Sequence, residues 1–198
     1  LRNGFTKQDV YADAHGVTYG NDSMRWADVE WFGYSLTREF FEHRLYGLIK
    51  AHTSEVGSSF TFVVGRGAYR KARGVPKGPD IPFLFFNDDH REVDEMWRGL
   101  VDLAQQHLQP RLLGQMLDAI RAGQQVTVAN EYTVDARGLS YPRLKRAYAW
   151  SDIEVSVHGG SVWLQPVGRP KREGLEMVAG FPNATLIPHL YAELTTRR

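Results

Sequence analysis

Asp13-Ala-His-Gly-Val-Thr-Tyr19 and Asp135-Ala-Arg-Gly-Leu-Ser-Tyr141 are one seven-residue phrase written twice. Four of the seven positions are identical, and Val17/Leu139 and Thr18/Ser140 exchange like for like. A second phrase follows each copy: Trp26-Ala-Asp-Val-Glu30 after the first, Trp150-Ser-Asp-Ile-Glu154 after the second. The phrases recur at offsets of 122 and 124 residues, so the second copy carries a two-residue insertion between its blocks. Shared order, near-equal spacing and a repeated Trp, in a chain with only five, argue against coincidence. The chain reads as a duplicated unit, and a repeat on this scale governs the fold.

The physics of the phrases points to β structure. A strand–turn–strand hairpin needs a residue that tolerates positive φ, and Gly does so without a Cβ clash. Gly16 and Gly138 are expected in that role. The Trp then leads into Val29, Trp31, Phe32 and Tyr34 in copy one, and into Ile153, Val155 and Val157 in copy two. The second run alternates strictly, the period of a half-buried strand.

Working outward, copy one reads as strands near 9–13, 16–20, 24–36, 43–53 and 59–66. A Gly- and Pro-rich loop spans 65–79, and Ile81–Phe86 is a short apolar strand with Pro82 near its start or on an edge. A helical region is expected over 89–122, with Asp89 as N-cap and Glu92 three residues on. Val93, Met96, Trp97, Leu100, Val101, Ala104 and Leu108 supply its apolar stripe. Pro110 interrupts that pattern or opens a second helix, and Gly123 suits the C-terminal end. Copy two continues with a hairpin turning at Gly159-Gly160, a last strand at 175–179, a break at Pro182-Asn183 and a closing helix with Pro188 in its first turn. An Asp two residues after each Trp, Asp28 or Asp152, is expected to satisfy a turn.

The chain has 198 residues, 42% hydrophobic and 12% aromatic, a composition for ordered globular structure. It has no cysteine, which excludes disulfides, thiolate zinc sites and cysteine nucleophiles. No apolar run reaches the roughly 18 residues of a membrane span. No signal peptide pattern is visible, and the chain opens on Leu1 rather than Met, which leaves room for an upstream segment. The net charge of +1 is too balanced for general nucleic-acid binding, so no specific nucleic acid is expected.

Strand–Gly–strand, then Trp-Ser/Ala-Asp-Ile/Val, then hairpins and a terminal helix resembles the pleckstrin-homology-like (PH-like) domains of bacteria. The tandem order, with a bridging helix and Phe181-Pro182-Asn183 before the last helix, is similar to an actinobacterial family of unknown function. The resemblance implies an α+β fold of two PH-like modules. Each would be an antiparallel seven-stranded bent sheet or barrel closed by a C-terminal helix. The implied division is a first module over 8–108, a helical connector over 109–124 and a second module over 125–198. A longer insertion around 65–80 sets copy one apart from the pattern.

Chemical motifs are sparse. None of the seven histidines sits at metal-ligand spacing. Asp88-Asp89-His90 fits an acid-rich helix start better than a metal site. His158-Gly159-Gly160 has no nucleophile elbow to accompany it. Gly65-Arg66-Gly67 lacks the Gly-Lys-Ser/Thr ending of a phosphate loop. No catalytic residue, metal or cofactor is expected. The residues that invite a ligand are basic: Arg66, Arg70, Lys71, Arg73 and Lys77 in one loop, with further clusters at Arg143, Lys145, Arg146 and at Arg169, Lys171, Arg172. The aromatic run Trp31, Phe32, Tyr34, Phe40 and Phe41 is expected mostly in the core.

The expectation is a non-enzymatic binding or scaffolding protein acting through contacts with another protein. The alternative is attachment to an anionic membrane surface through the loop 66–77, worth about 1 kcal/mol per basic residue near the bilayer. An enzyme with an unrecognised site stands third. The expected location is the cytoplasm, including the inner face of its membrane.

Overall fold

The computed structural model describes residues 10–45, 49–67, 71–72, 75–76, 81–85, 90–129 and 131–196, with side chains described outside 37–60, 68–94 and Lys171. The fold is α+β, built from small antiparallel sheets and helices. Copy one opens with β1 (Val10–Ala12), β2 (Gly16–Tyr19) and β3 (Asp22–Arg25), paired in that order. A 3-10 turn at Trp26–Asp28 carries the chain to β4 (Trp31–Leu45) and β5 (Ile49–Gly65). The short pair β6 (Lys71–Ala72) and β7 (Val75–Pro76) precedes β8 (Ile81–Phe85), which completes a sheet of order β4-β5-β8. Two helices follow, α1 (His90–His107) and α2 (Gln109–Arg121).

Copy two repeats the plan. Strands β9 (Val126–Val128), β10 (Tyr132–Val134), β11 (Gly138–Tyr141) and β12 (Arg146–Ala149) form one sheet, with β12 and β9 at its edges. A 3-10 turn at Trp150–Asp152 leads to β13 (Ile153–His158), β14 (Ser161–Pro166) and β15 (Leu175–Val178), and α3 (Ile187–Thr195) closes the chain. The two-residue insertion lies between β11 and β12. Two residues, Gly20 and Asn21, link β2 to β3, whereas Pro142–Lys145 link β11 to β12 through a 3-10 turn and a left-handed Lys145.

The sheets do not close into barrels among the described residues. Closure needs the hydrogen-bond ladder to pass from one sheet to the next. Here the 3-10 turns at 26–28 and 150–152 end the first sheet of each copy before the second begins.

The strands expected at 24–36, 43–53 and 59–66 are also redrawn. Trp26–Asp28 breaks the first, and β4 and β5 are two long strands paired from Trp31↔Gly65 to Leu45↔Ile49. The breaks expected at 37–42 and 54–58 meet at one bulge, whereas the strand expected at 43–53 is divided between the end of β4 and the start of β5, with a second bulge within it. Register jumps from Glu39↔Gly57 to Phe40↔Glu55 and from His43↔His52 to Arg44↔Lys50, which leaves Val56 and Ala51 as the extra residues. Strand β8 pairs only with Phe60–Val64, so beyond that pairing β4 and β5 run on as a two-stranded ribbon. The residues 37–45 add roughly 30 Å of ribbon.

Helical expectations hold in the described part. Leu100, Ala104, Leu108, Leu112, Met116 and Ile120 are buried along α1 and α2. Pro110 lies in the first turn of α2, where no backbone donor is lost, and Gly123 (φ 80) follows its end. The expected cap at Asp89 and the Asp88-Asp89 pair lie outside the described residues.

One apolar core joins both copies. Val17, Trp26, Phe32 and Phe62 belong to the same buried cluster as Leu139, Trp150, Leu164 and Leu190. The seam between the copies is the segment expected only as a break before the last helix. Asn183, left-handed at φ 58, donates its amide to the Phe32 carbonyl (2.6 Å) and accepts the Phe32 amide on Oδ1 (3.1 Å). Its side chain therefore fastens the edge of β4 and caps no helix. Gly33 and Gly180 meet beside it, where a Cβ on Gly33 would lie 2.5 Å from the Gly180 carbonyl oxygen.

Candidate functional site

The repeated phrases form the same small hydrogen-bonded device in both copies. Asp13 Oδ1 accepts the amides of His15 (2.7 Å) and Gly16 (3.2 Å); Asp135 Oδ1 accepts those of Arg137 (2.8 Å) and Gly138 (3.2 Å). The carbonyl of each Asp then accepts the indole N–H of the repeated Trp, Trp26 at 2.7 Å and Trp150 at 3.0 Å. The backbone amide of the Trp donates to His15 or Arg137, both at 3.0 Å. An aspartate bonding its own backbone two and three residues on is a turn made by a side chain.

The electrostatics follow from these bonds. The His15 amide holds the Asp13 carboxyl below its ordinary range against some desolvation, with help from the Gly16 amide and the His15 and Tyr11 side chains. For Asp135, burial pushes upward but is outweighed by the Arg137 amide, Gln125, the Gly138 amide and the Arg137 side chain, so its carboxyl too lies low.

Gly16 and Gly138 do not supply positive φ, as expected of them; neither is among the glycines that do. They are glycines because strands pass too close: a Cβ would fall on the carbonyl of Met24 in one copy and of Tyr148 in the other. Asp28 and Asp152 do not share a turn role either. Asp28 pairs with Arg25 (2.7 Å), and Asp152 accepts the Ser151 hydroxyl (2.8 Å).

The closing helices lock onto the same point. Trp26 stacks on His107 (ring centroids 6.2 Å apart) and Trp150 meets Tyr191 edge-on (6.0 Å). The carbonyl after each 3-10 turn is taken from that side as well: Val29 by the Arg111 guanidinium, Ile153 by the Tyr191 hydroxyl at 3.1 Å. Trp31 and Phe32 are buried and Tyr34 half-buried, in line with a core role. The side chains of Phe40 and Phe41 lie outside the described residues.

The basic clusters divide differently. Arg66 is exposed at the end of β5, and Lys71 lies in β6. The side chains of Arg70, Lys71, Arg73 and Lys77 lie outside the described residues. Parts of the second and third clusters meet. Lys145 and Arg146, on the β11–β12 side, and Arg169, on the β14–β15 loop, line one cleft of about 360 Å³ with Tyr148 and Glu173. Arg169 pairs with Glu173 (3.4 Å), while Lys145 and Arg146 have no ion-pair partner among the described residues. Arg143 turns away to Glu131 (2.6 Å). Leu144 and Val167, on the same two loops, are 53% and 56% exposed. A second cavity of about 380 Å³, lined by Thr133, Asp135, Ser140 and Ala149, shares Ala147 and Tyr148 with the first.

Among the described residues no three His, Asp or Glu side chains are grouped to hold a metal ion, and no helix is long and apolar enough to cross a membrane. No protein-family profile, curated protein or solved structure matches the chain.

The sequence reading passed over Asp13 and Asp135, although both stand in the repeated phrase. The meeting of Lys145 and Arg146 with Arg169 had no signal along the chain, since it depends on how two loops meet.

Proposed function

We propose that the chain is a tandem of PH-like modules and a non-enzymatic binding protein that docks a partner protein on the cationic side of copy two. The module reading draws support from the order of copy two: four strands (β9–β12), three strands (β13–β15), then α3. The observation that carries the binding reading is the cleft of Lys145, Arg146 and Arg169, in which Lys145 and Arg146 have no ion-pair partner among the described residues. The repeated Asp and Trp are occupied in holding turns. A cationic cleft beside exposed Leu144 and Val167 suits an acidic surface with apolar residues among its charges.

A second reading, attachment to an anionic membrane, draws on the same exposed Leu144 and Val167 and on the basic loop 66–77 with its exposed Arg66. A titration panel separates them. Acidic peptides, basic peptides and equimolar phosphatidylglycerol–phosphatidylcholine vesicles are tested against the wild type and the Lys145→Glu/Arg146→Glu/Arg169→Glu triple variant. Acidic-peptide binding that the triple variant loses is the expected result. Vesicle binding in preference to every peptide overturns the protein-contact reading, and silence from all probes removes the cleft as the site.

A further inference from the structure

We infer that the free edge of β12 receives an extended acidic segment of the partner as an added strand. The inference rests on the protein-contact reading and says how that contact is made. Strand β12 is outermost in its sheet, with order β12-β11-β10-β9. The Trp150 amide donates to Arg137, which sets the hydrogen-bonded pairs between β11 and β12. Antiparallel pairs alternate, so Ala149 opposite Gly138 and Ala147 opposite Ser140 are the residues whose N–H and C=O point away from β11. Both alanines are exposed, and no backbone or side-chain group among the described residues takes up their outward bonds.

An open edge of this kind is a template for another strand. The molecule already treats one edge so: Phe32 of β4 has its outward amide and carbonyl satisfied by Asn183. Along β12 no described residue fills that place. The cavity bordered by Thr133 and Ser140 lies on the face that Ala147 shares with them by register. The cleft of Lys145, Arg146 and Arg169 lies on the other side, with Tyr148. Small alanines leave the edge accessible, and space flanks it on both faces.

The charges choose the occupant. Residues of an added strand alternate between faces, and those at i and i+2 lie about 7 Å apart on one side. Acidic residues at alternate positions therefore meet Lys145, Arg146 and Arg169, while the intervening residues lie beside Ala147 and Ala149, at the rim of the second cavity.

The experiment uses a fluorescein-labelled octapeptide of alternating Glu and Thr, read by anisotropy against the full chain. Two further versions are N-methylated on one or the other alternate set of amides. An added strand gives only one alternate set of N–H groups to β12. One methylated peptide should lose binding and the other should retain it. The Ala149→Pro variant removes the outward donor from the protein side. Ala149 already has φ −70, the angle proline imposes, so the fold tolerates it. Its affinity should fall roughly tenfold, as for one lost backbone hydrogen bond. Equal binding of both methylated peptides overturns strand addition, as does binding of inorganic phosphate or of a block Glu–Thr octapeptide as tightly as the alternating one. In those cases charge-reversal sensitivity at Lys145 and Arg169 still supports the cleft, so failure here is distinct from failure of the proposed function. Should Ala149→Pro not fold, the methylated pair alone decides.

Discussion

The two hairpins that follow the repeated Trp differ more than twofold in length. In copy one, β4 and β5 run for 15 and 17 residues; in copy two, β13 and β14 take six each. Both start from the same device of Asp, close-approach Gly and Trp. What stops them differs. Copy two meets Gly159-Gly160, at φ 59 and 75, which turns the chain at once. From Tyr34 to Leu45 copy one has no Gly, Pro, Asn or Asp to turn on. A two-stranded ribbon is marginal alone in water, so the long hairpin depends on its root, where β8 and the core hold it. Duplicated lead-ins thus set where a hairpin begins, and local turn chemistry sets where it ends.

The comparison breaks most visibly at the tryptophans. Trp26 and Trp150 are 4% and 1% exposed and donate equivalent bonds. Trp26→Ala and Trp150→Ala should each destabilise by about 3–5 kcal/mol, read by thermal or urea unfolding. A near-zero effect in one copy would show that the two phrases no longer do the same work. Next come the glycines: Gly16→Ala and Gly138→Ala press a methyl into a carbonyl in both copies and should cost about 1–3 kcal/mol or somewhat more.

The seam sharpens the contrast, since it has one representative. Asn183→Ala leaves the buried Phe32 amide unpaired and strains a left-handed residue, for about 1–3 kcal/mol. Asn183→Gly removes only the bond and should cost less. Equal losses would place the whole effect in the side chain.

The smallest effect is acid sensitivity. Asp13 and Asp135 lie below the ordinary aspartate range when folded. Their contribution is therefore complete above that range and lost as pH falls through the lowered folded values. Melting temperature should decline on acidification, and Asp13→Asn with Asp135→Asn should flatten that decline.

Much of the fold was legible because its determinants are local. Gly159-Gly160, Pro110 and Gly123 act through their own backbone angles, and the Asp-Ala-x-Gly phrase marks its hairpin directly. The reason for Gly16 and Gly138 was not legible, because it lies in Met24 and Tyr148 across the sheet. The gap expected between 53 and 59 holds a bulge at Val56 and no strand end, a distinction made only by the partner strand. The candidate site was legible as three basic clusters and no further. Whether Arg146 and Arg169 share a cleft depends on two loops separated by a whole hairpin, and no periodicity encodes that.

Asn183 also carries a consequence for the independence of the two halves. A residue of the second copy now completes the backbone bonding of Phe32 in the first. The halves are therefore hard to part: either one alone would be left with an unmet amide or an idle loop, and with a glycine notch opened to water.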